Sequence, residues 1–451
     1  MNYTTVKKSG VNVIQSNIKL NCDNMIGEFM TDEDYDMLID EDTDFYAPSN
    51  LSAKSQTEDN IIFKFRKGTF TDEQQIGAYE GLVGAATATQ NRGKAAGPKV
   101  ERLNNRDWVT MAQSKVLEHF IEKNNSMFVD GDPIDGIIER YKSDENARGI
   151  VWLRSQISDA GYNYDTFFSD LISELKSMSA EEASSRASFV KNAFISDTTY
   201  ANQVLSGIAG FFDRYPRIPY GRATAYTENN YSRYVKCYPF MQELSDKFQE
   251  LLPNRFANQV KEADKIDSRF RVAGYHTPFT TITVNKNFRT AAHRDAGDLN
   301  KGFSNLTVVA KDKEWEGGYL VLPEYRVAIN LRPGDLLLIN NHDGIHGNTE
   351  MHPPEGKTIE DMERISLVCY FREKMLQLGS WEYEKARYEY VDSRRKDSTH
   401  PLWSKLWNGV SPSMWNDEEW YDYLEKTLGK STLEEYHPEA LSNNSLEEFF
   451  V

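Results

Sequence analysis

Residues 279–298 read FTTITVNKNFRTAAHRDAGD, and this stretch decides the fold that the sequence predicts. Its first half is rich in β-branched and aromatic residues, which favour a β-strand. The second half carries His293 and Asp295, and side chains two apart on a strand point to the same face. These two side chains can therefore hold one metal ion between them.

Further short strands are predicted downstream, each set off by Gly or Pro. They cover 316–323 and 327–331, then 335–340 after the turn RPG at 332–334, and finally 364–371. His346 follows the third of these strands, and Arg364 begins the fourth with Ser366 on the same face. Short strands with this punctuation are typical of a jelly roll.

Two histidines and one carboxylate are the ligand set of non-haem Fe(II) oxygenases, which leave other coordination positions open. His293, Asp295 and His346 are the predicted ligands, with His342 as a competitor for the third position. Arg364 suits an acidic co-substrate because a guanidinium grips a carboxylate at two points. The remaining candidates, assigned to second-layer or surface positions, are His276 and His352.

The stretch 279–298 resembles the ten-eleven-translocation and base-J-binding-protein dioxygenases. So do GG at 317–318, PEY at 323–325, LRPGD at 331–335 and HGNT at 346–349. The resemblance covers about residues 205–375, and the family includes many bacteriophage members. It implies an α+β protein with a double-stranded β-helix (jelly-roll, cupin-like) core and flanking helices.

The resemblance also implies Fe(II), 2-oxoglutarate and O₂, and oxidation of the 5-methyl group of thymine or 5-methylcytosine in DNA. Carried over by motif, His293, Asp295 and His346 would bind iron, and Arg364 would bind the distal carboxylate of 2-oxoglutarate. The spacing from His346 to Arg364 is longer than the family suggests, and a Pro- and Gly-containing loop at 352–357 accounts for the difference. Such an enzyme needs no general base, because the cofactor supplies the difficult chemistry.

Polar residues around the core supply further candidates. The segment 214–231 mixes bases, aromatics and amides, which can stack and read flipped bases, although it can also be an ordinary polar loop. The candidates for 2-oxoglutarate binding, beside Arg364 and Ser366, are Arg222 and Asn285. The candidates for substrate contact are Tyr226, Asn287, Asp298 and Arg92.

Arg92 lies in a basic, Gly- and Ala-rich stretch. Between residues 85 and 106 there are five Lys or Arg residues and one acidic residue. Such a loop can enter a nucleic-acid groove or contact phosphates, or it can be a solvated linker. It lacks the residue order of a phosphate-binding P-loop.

The net charge of −17 argues against a protein whose whole surface coats nucleic acid. It leaves a DNA-acting enzyme possible, because part of the excess is local: residues 28–44 hold nine Asp or Glu and no Lys or Arg. This segment is predicted to be a solvated tail or, alternatively, a docking tail or an internal mimic of nucleic acid.

The predicted organisation has four parts. Residues 1–56 form an acidic, poorly ordered extension, and 57–204 a mostly helical region with the basic loop. Residues 205–375 form the dioxygenase core, and 376–451 an aromatic-rich helical extension. No apolar run predicts a membrane helix. The three cysteines are too few for a disulfide framework, so the predicted location is the cytoplasm, that of the host cell if a bacteriophage encodes the protein.

Three functions are compatible with these features. The first is hydroxylation of a 5-methylpyrimidine in DNA. The second is the same chemistry on a free nucleotide, a protein side chain or a small metabolite. The third is a DNA-binding module without catalysis. The sequence distinguishes neither thymine from 5-methylcytosine nor one oxidation step from several.

Overall fold

The computed structural model describes residues 2–48, 57–89, 91–98, 163, 202–215, 218–295, 297–300, 302–310, 314–401, 403, 409–410 and 417–428. Within these residues the chain forms seventeen strands and seven α-helices, with short 3-10 turns between them. None of the helices is long and apolar enough to cross a membrane, among the residues described.

The strands are short, and they are numbered here in chain order. They are β1 (Tyr3–Lys8), β2 (Val11–Ser16), β3 (Met37–Ile39), β4 (Thr43–Tyr46), β5 (Ile61–Arg66), β6 (Thr87–Thr89), β7 (Val204–Phe212), β8 (Arg222–Ala223), β9 (Thr281–Lys286), β10 (Ser304–Ala310), β11 (Glu316–Gly317), β12 (Leu320–Leu322), β13 (Val327–Ile329), β14 (Leu336–Ile339), β15 (Gly347–Asn348), β16 (Met351–His352) and β17 (Arg364–Tyr370). The helices are α1 (Asp72–Leu82), α2 (Ala225–Asn229), α3 (Tyr231–Tyr234), α4 (Tyr238–Leu251), α5 (Pro253–Ala263), α6 (Trp381–Lys396) and α7 (Asp417–Leu428).

One large mixed sheet organises the fold. Its strands run in the order β1-β2-β4-β5-β14-β10-β17-β9-β7-β6, and β8 pairs with β7. A second sheet has the order β15-β12-β13-β3, and β11 pairs with β16 in a third. The sheets and the flanking helices make the protein α+β, as the sequence predicts.

Helices cover one face of the large sheet. Residues on alternate positions of β9, β14 and β17 pack there against α1 and α4, and together they form the helix-side core. This core includes Leu82, Leu244, Phe248, Ile282, Leu338 and Leu367. The spacing of Leu244, Phe248, Leu251 and Leu252 predicts a helix with one apolar face that ends at Pro253. The structure confirms this face in α4, and Pro253 begins the next helix.

The second sheet covers the opposite face of the large sheet. Side chains between the two sheets form the inter-sheet core, which includes Phe45, Phe63, Leu306, Leu320, Val327 and Leu337. Strand β14 is apolar at every position because Leu336 and Leu338 face the helices, whereas Leu337 and Ile339 face the second sheet. A strand buried on both faces needs such a continuous apolar run.

The prediction that residues 1–56 are poorly ordered is wrong for most of this segment. Strands β1, β2 and β4 extend the large sheet, and β3 pairs in parallel with β13. Several of the acidic residues form ion pairs: Asp44, for example, contacts both Lys64 and Arg66 at 3.1 and 2.7 Å. The short strands between the acidic residues bury apolar side chains such as Phe45, and this burial stabilises the segment despite its high charge.

The predicted helical content before the core is only partly testable. Hydrophobic spacing predicts helices over 108–210, with one apolar face formed by Phe168, Leu171, Ile172 and Leu175. Most of this range, including that face, lies outside the described residues. At the C-terminal end of this range, Val204–Phe212 is a strand of the large sheet and not a helix. In the described part of the predicted aromatic-rich extension 376–451, α6 and α7 pack against each other through Tyr383, Tyr390 and Trp420.

Candidate metal and co-substrate site

The two predicted histidine ligands, His293 and His346, lie opposite each other in an isolated antiparallel bridge. The N–H of His293 donates to the carbonyl of His346 at 2.9 Å, and the N–H of His346 donates back at 3.0 Å. Asp295 completes the group, with its carboxylate 3.3 Å from Nε2 of His293 and 3.7 Å from Nε2 of His346. One ligand atom of each residue lies within 4.8 Å of the others, so the three can hold one ion.

Hydrogen bonds orient both imidazoles for metal binding. Nδ1 of His293 lies 2.8 Å from the carbonyl of Ala291, and Nδ1 of His346 lies 3.1 Å from the carbonyl of Gly344. A carbonyl accepts only, so each Nδ1 carries a proton, and Nε2 is the nitrogen of each ring that would bind a metal once it gives up any proton of its own. Two nitrogens and one carboxylate oxygen converging from one side fit Fe(II) and leave the other side open.

Burial and mutual contact set the charges of this group. Burial acts to raise the pKa of Asp295, but the hydrogen bond from His293 and the nearby His346 outweigh it and hold the pKa at about 2. Burial, with the adjacent His293, lowers the pKa of His346 to about 4. An ionised carboxylate beside a neutral His346 is the state that a divalent cation requires.

A polar row crosses the large sheet on its inter-sheet face. Arg364 and Ser366 project from this face because Ile365 and Leu367 of the same strand lie in the helix-side core. Asn285 lies opposite Ser366 in the neighbouring strand β9. Ser206 of β7, which lies opposite Asn285, donates its hydroxyl to the amide oxygen of Asn285.

Arg364 is a buried cation without a carboxylate partner among the residues described here. Its side chain is 6% exposed, and its Nε has no hydrogen-bond partner. Burial, together with the nearby charge of Arg332, lowers its pKa to about 10. A buried unpaired guanidinium calls for an anionic ligand, and the predicted 2-oxoglutarate carboxylate fits this need.

A cavity of about 300 Å³ opens beside the triad. Its walls consist of Ile26, Arg92, Lys94, Ala95, His293 and Arg294. Arg92 is half-buried. Burial lowers the pKa of its guanidinium, and the nearby Tyr370 and Asp295 act in the opposite direction. The structure thus brings the predicted substrate residue Arg92 to the mouth of the metal site, on a segment far from it in sequence.

Of two other predicted residues, Asp298 lies close to the triad, whereas Arg222 makes its contacts with Asp213 and Phe212. Asp298 is buried and accepts a hydrogen bond from Ser304; burial, and then the charge of Asp295, raises its pKa well above the usual value. Arg222 donates to the carbonyl of Asp213 at 3.2 Å and lies over the ring of Phe212.

Two predicted residues have structural contacts instead. The hydroxyl of Tyr226 donates to the carbonyl of Gly81 at 2.6 Å, and its ring packs against the helix-side core, on the face opposite the triad. Asn287 has a φ of 47°, and its amide donates to the carbonyls of Ile359 and Met362. These contacts correct the assignment of both residues to substrate contact, because their polar atoms are already used.

His342 does not join the triad. Its side chain lies 4.0 Å from Asp343, and it belongs to no group of possible metal ligands among the described residues. Residues that the sequence reasoning missed are Ser206, Trp315 and Arg332. The polar Ser206 within the apolar strand sequence VLSGIAGFF could have been noticed, whereas nothing local links Trp315 or Arg332 to Arg364.

Comparison with known proteins agrees with this site. Residues 207–373 match the Tet_JBP family, described as the oxygenase domain of the 2OGFeDO superfamily. The thymine dioxygenase JBP1-B of Trypanosoma cruzi is 36% identical over 171 residues, which are 37% of this chain and 19% of that protein. The bifunctional helicase and thymine dioxygenase JBP2 of Trypanosoma brucei brucei is 36% identical over 170 residues, 37% of this chain and 15% of that protein.

The resemblance that the sequence suggests is thereby confirmed for this part of the chain, which spans about a fifth of the length of the first of these relatives. The relatives are trypanosomatid proteins, so a bacteriophage origin stays a prediction. Among solved structures, NgTET1 in complex with 5mC DNA is similar with a TM-score of 0.33 and 15% identity, over 41% of this chain and 69% of that chain.

Proposed function

We propose that this protein is a dioxygenase that uses Fe(II), 2-oxoglutarate and O₂ to hydroxylate the 5-methyl group of a pyrimidine in DNA. The observation that carries the proposal is the triad of His293, Asp295 and His346 together with the buried, unpaired Arg364. The proposed core is a double-stranded β-helix over residues 205–375, completed on one side by the N-terminal strands.

Separate groups of residues would bind the metal and the co-substrate. His293, Asp295 and His346 would hold the metal, which, with 2-oxoglutarate and O₂, supplies the oxidation of a C–H bond. Arg364 and Ser366 would bind the distal carboxylate, with Asn285 and Ser206 holding the adjacent strands in register. The protein positions its ligands and excludes side reactions.

Local positive charge at the mouth supports a nucleic-acid substrate despite the acidic chain. Arg92 and Lys94 border the cavity beside the triad, and in the described part of the structure neither is within salt-bridge distance of a carboxylate. Such cations can contact phosphates or base edges. Thymine is the first base to test, because the similar proteins are named thymine dioxygenases. Three free, buried cysteines are compatible with a cytoplasmic location.

The test is to incubate the protein with Fe(II), 2-oxoglutarate, O₂ and duplex DNA that contains thymine and 5-methylcytosine, and to weigh the nucleosides after digestion. We expect one nucleoside heavier by one oxygen, and none with the variant His293→Ala. The identity of the heavier nucleoside names the base, and repeated additions would reveal further oxidation steps.

Other outcomes would favour the rival functions. Succinate release with unchanged nucleosides would remove DNA as the substrate and would favour a free nucleotide, a protein side chain or a metabolite. If there is neither product nor succinate, and His293→Ala still binds DNA as well as the wild type, the protein is a binding module.

The unpaired Arg364 also predicts a conflict between stability and function. Replacing it with methionine, which is apolar and of similar length, is expected to stabilise the ligand-free protein by about 1 kcal/mol or more, because a buried charge without a partner is costly. The same change should abolish the gain in melting temperature that 2-oxoglutarate gives the wild type. Melting curves of both proteins, with and without 2-oxoglutarate, measure both effects. A less stable Arg364→Met protein would contradict the first expectation.

A further inference from the structure

A second arginine lies beside Arg364 although it is remote in sequence. Arg332 belongs to the turn before β14, and its guanidinium carbon lies 5.0 Å from the centre of the Trp315 ring. The guanidinium carbon of Arg364 lies 6.0 Å from the same ring. Two cations therefore share one indole, and the charge of Arg332 acts unfavourably on Arg364.

Each of these three side chains has a buried donor that finds no partner in the described part of the chain. The donors are Nη1 of Arg332, Nε of Arg364 and Nε1 of Trp315. A buried donor that makes no hydrogen bond is costly, and the three donors belong to side chains that lie against one another, so one acceptor among them could satisfy all three. Two adjacent positive charges further require that this acceptor be an anion.

The turn that carries Arg332 is held firmly in place. The carboxylate of Asp335 accepts from the N–H of Arg332 at 2.9 Å and from the N–H of Gly68 at 2.8 Å. Gly334, with a φ of 86°, donates to the carbonyl of Val308 at 3.1 Å. Arg332 is thus positioned before any ligand binds, which lowers the entropic cost of binding.

We infer that Arg332 and Trp315, together with Arg364, form a three-donor clamp for the distal carboxylate of the 2-oxo acid. This inference rests on the proposed function for the identity of the acid. One arginine with a serine could accept several small anions. Two arginines and an indole N–H saturate both oxygens of a carboxylate, so the clamp selects a dicarboxylic 2-oxo acid over one without the distal group.

The test uses equilibrium binding, with Mn(II) in place of Fe(II), so that no turnover is needed. Calorimetric titrations compare 2-oxoglutarate with 2-oxobutanoate, which has the same 2-oxo acid group and no distal carboxylate. We expect Arg332→Gln to weaken 2-oxoglutarate binding at least about tenfold and to leave 2-oxobutanoate binding unchanged. Trp315→Phe keeps the ring and removes one donor, so a smaller loss of about three- to tenfold is expected.

Further variants separate binding from folding. Arg332→Lys keeps the charge without the planar fork and should lie between the wild type and Arg332→Gln. The matched control is Arg233→Gln, an exposed arginine on α3 that should change neither titration.

Three results would overturn the clamp. They are unchanged 2-oxoglutarate binding by Arg332→Gln, an equal loss for both ligands, and a wild-type protein that does not prefer 2-oxoglutarate. These titrations contain no DNA, so they are independent of the nucleoside experiment. Tight, Arg332-dependent binding of 2-oxoglutarate with no modified nucleoside would keep the clamp and reject only the DNA substrate.

Discussion

Replacing His346 with alanine is expected to remove bound iron and to abolish hydroxylation. His346 would supply one of the three proposed ligands, and its Nε2 lies 3.7 Å from the Asp295 carboxylate. Loss of a residue that merely supports a ligand typically weakens metal binding by about 10–100-fold, so loss of the ligand itself should weaken it by more than about 100-fold. The measurement is the metal content of the purified protein after loading with Fe(II) under anaerobic conditions, followed by the nucleoside assay.

His342 gives the matched control for this experiment. It is a histidine four residues earlier in the same loop, and the sequence alone left it as a competing ligand. The structure places it outside the triad, so His342→Ala should keep its iron. Iron retained by His346→Ala and lost by His342→Ala would reverse the assignment and contradict the geometry described here.

Replacing Glu384 with alanine is expected to cause a large loss of stability. Glu384 lies on α6, is 1% exposed, and accepts hydrogen bonds from Arg214 and from the N–H groups of Gly221 and Gly379 at 2.6 and 2.9 Å. Removing one partner of a buried ion pair typically costs about 3–5 kcal/mol because the other charge stays buried. Chemical denaturation with urea measures the change in the free energy of unfolding.

The role of Glu384 also extends to the site. Its bond to Gly221 fixes the residue before Arg222, whose guanidinium lies over the Phe212 ring. Arg372 lies over the same ring and pairs with Asp298 in an isolated antiparallel bridge, and Asp298 is close to Asp295. The isosteric Glu384→Gln should therefore lower both stability and hydroxylation. Glu389→Gln, a change at an exposed position of the same helix, should alter neither. Full stability of Glu384→Gln would show that hydrogen bonding without charge is sufficient there.

The candidate metal-binding group was predictable because local chain geometry alone brings two of its residues together. His293 and Asp295 are two residues apart on an extended segment, and the apolar run before His346 marks the strand that leads to it. The same reasoning could not assign Tyr226 or Asn287. Their residue types suit substrate contact, but their polar groups bond to backbone carbonyls that only the folded chain brings near.

The N-terminal segment illustrates the opposite error. Nine acidic residues in 28–44 suggested weak order. Composition counts these charges but does not show which basic residues pair with them in the folded chain. In the structure Asp36 pairs with Arg326 and Asp44 pairs with Arg66, both at 2.7–2.8 Å. A pairing between residues nearly three hundred positions apart leaves no local pattern in the sequence.

The sequence by itself predicted most strands of the core, the candidate ligands His293, Asp295 and His346, and the arginine that begins β17. These predictions depend on the periodicity of apolar residues and on short spacings along the chain, which can be read without knowing the tertiary structure. Only the tertiary structure decided that Arg92 borders the metal site and that Arg332 and Trp315 lie against Arg364. Such contacts join distant segments through sheet packing and burial, and no short-range pattern encodes them.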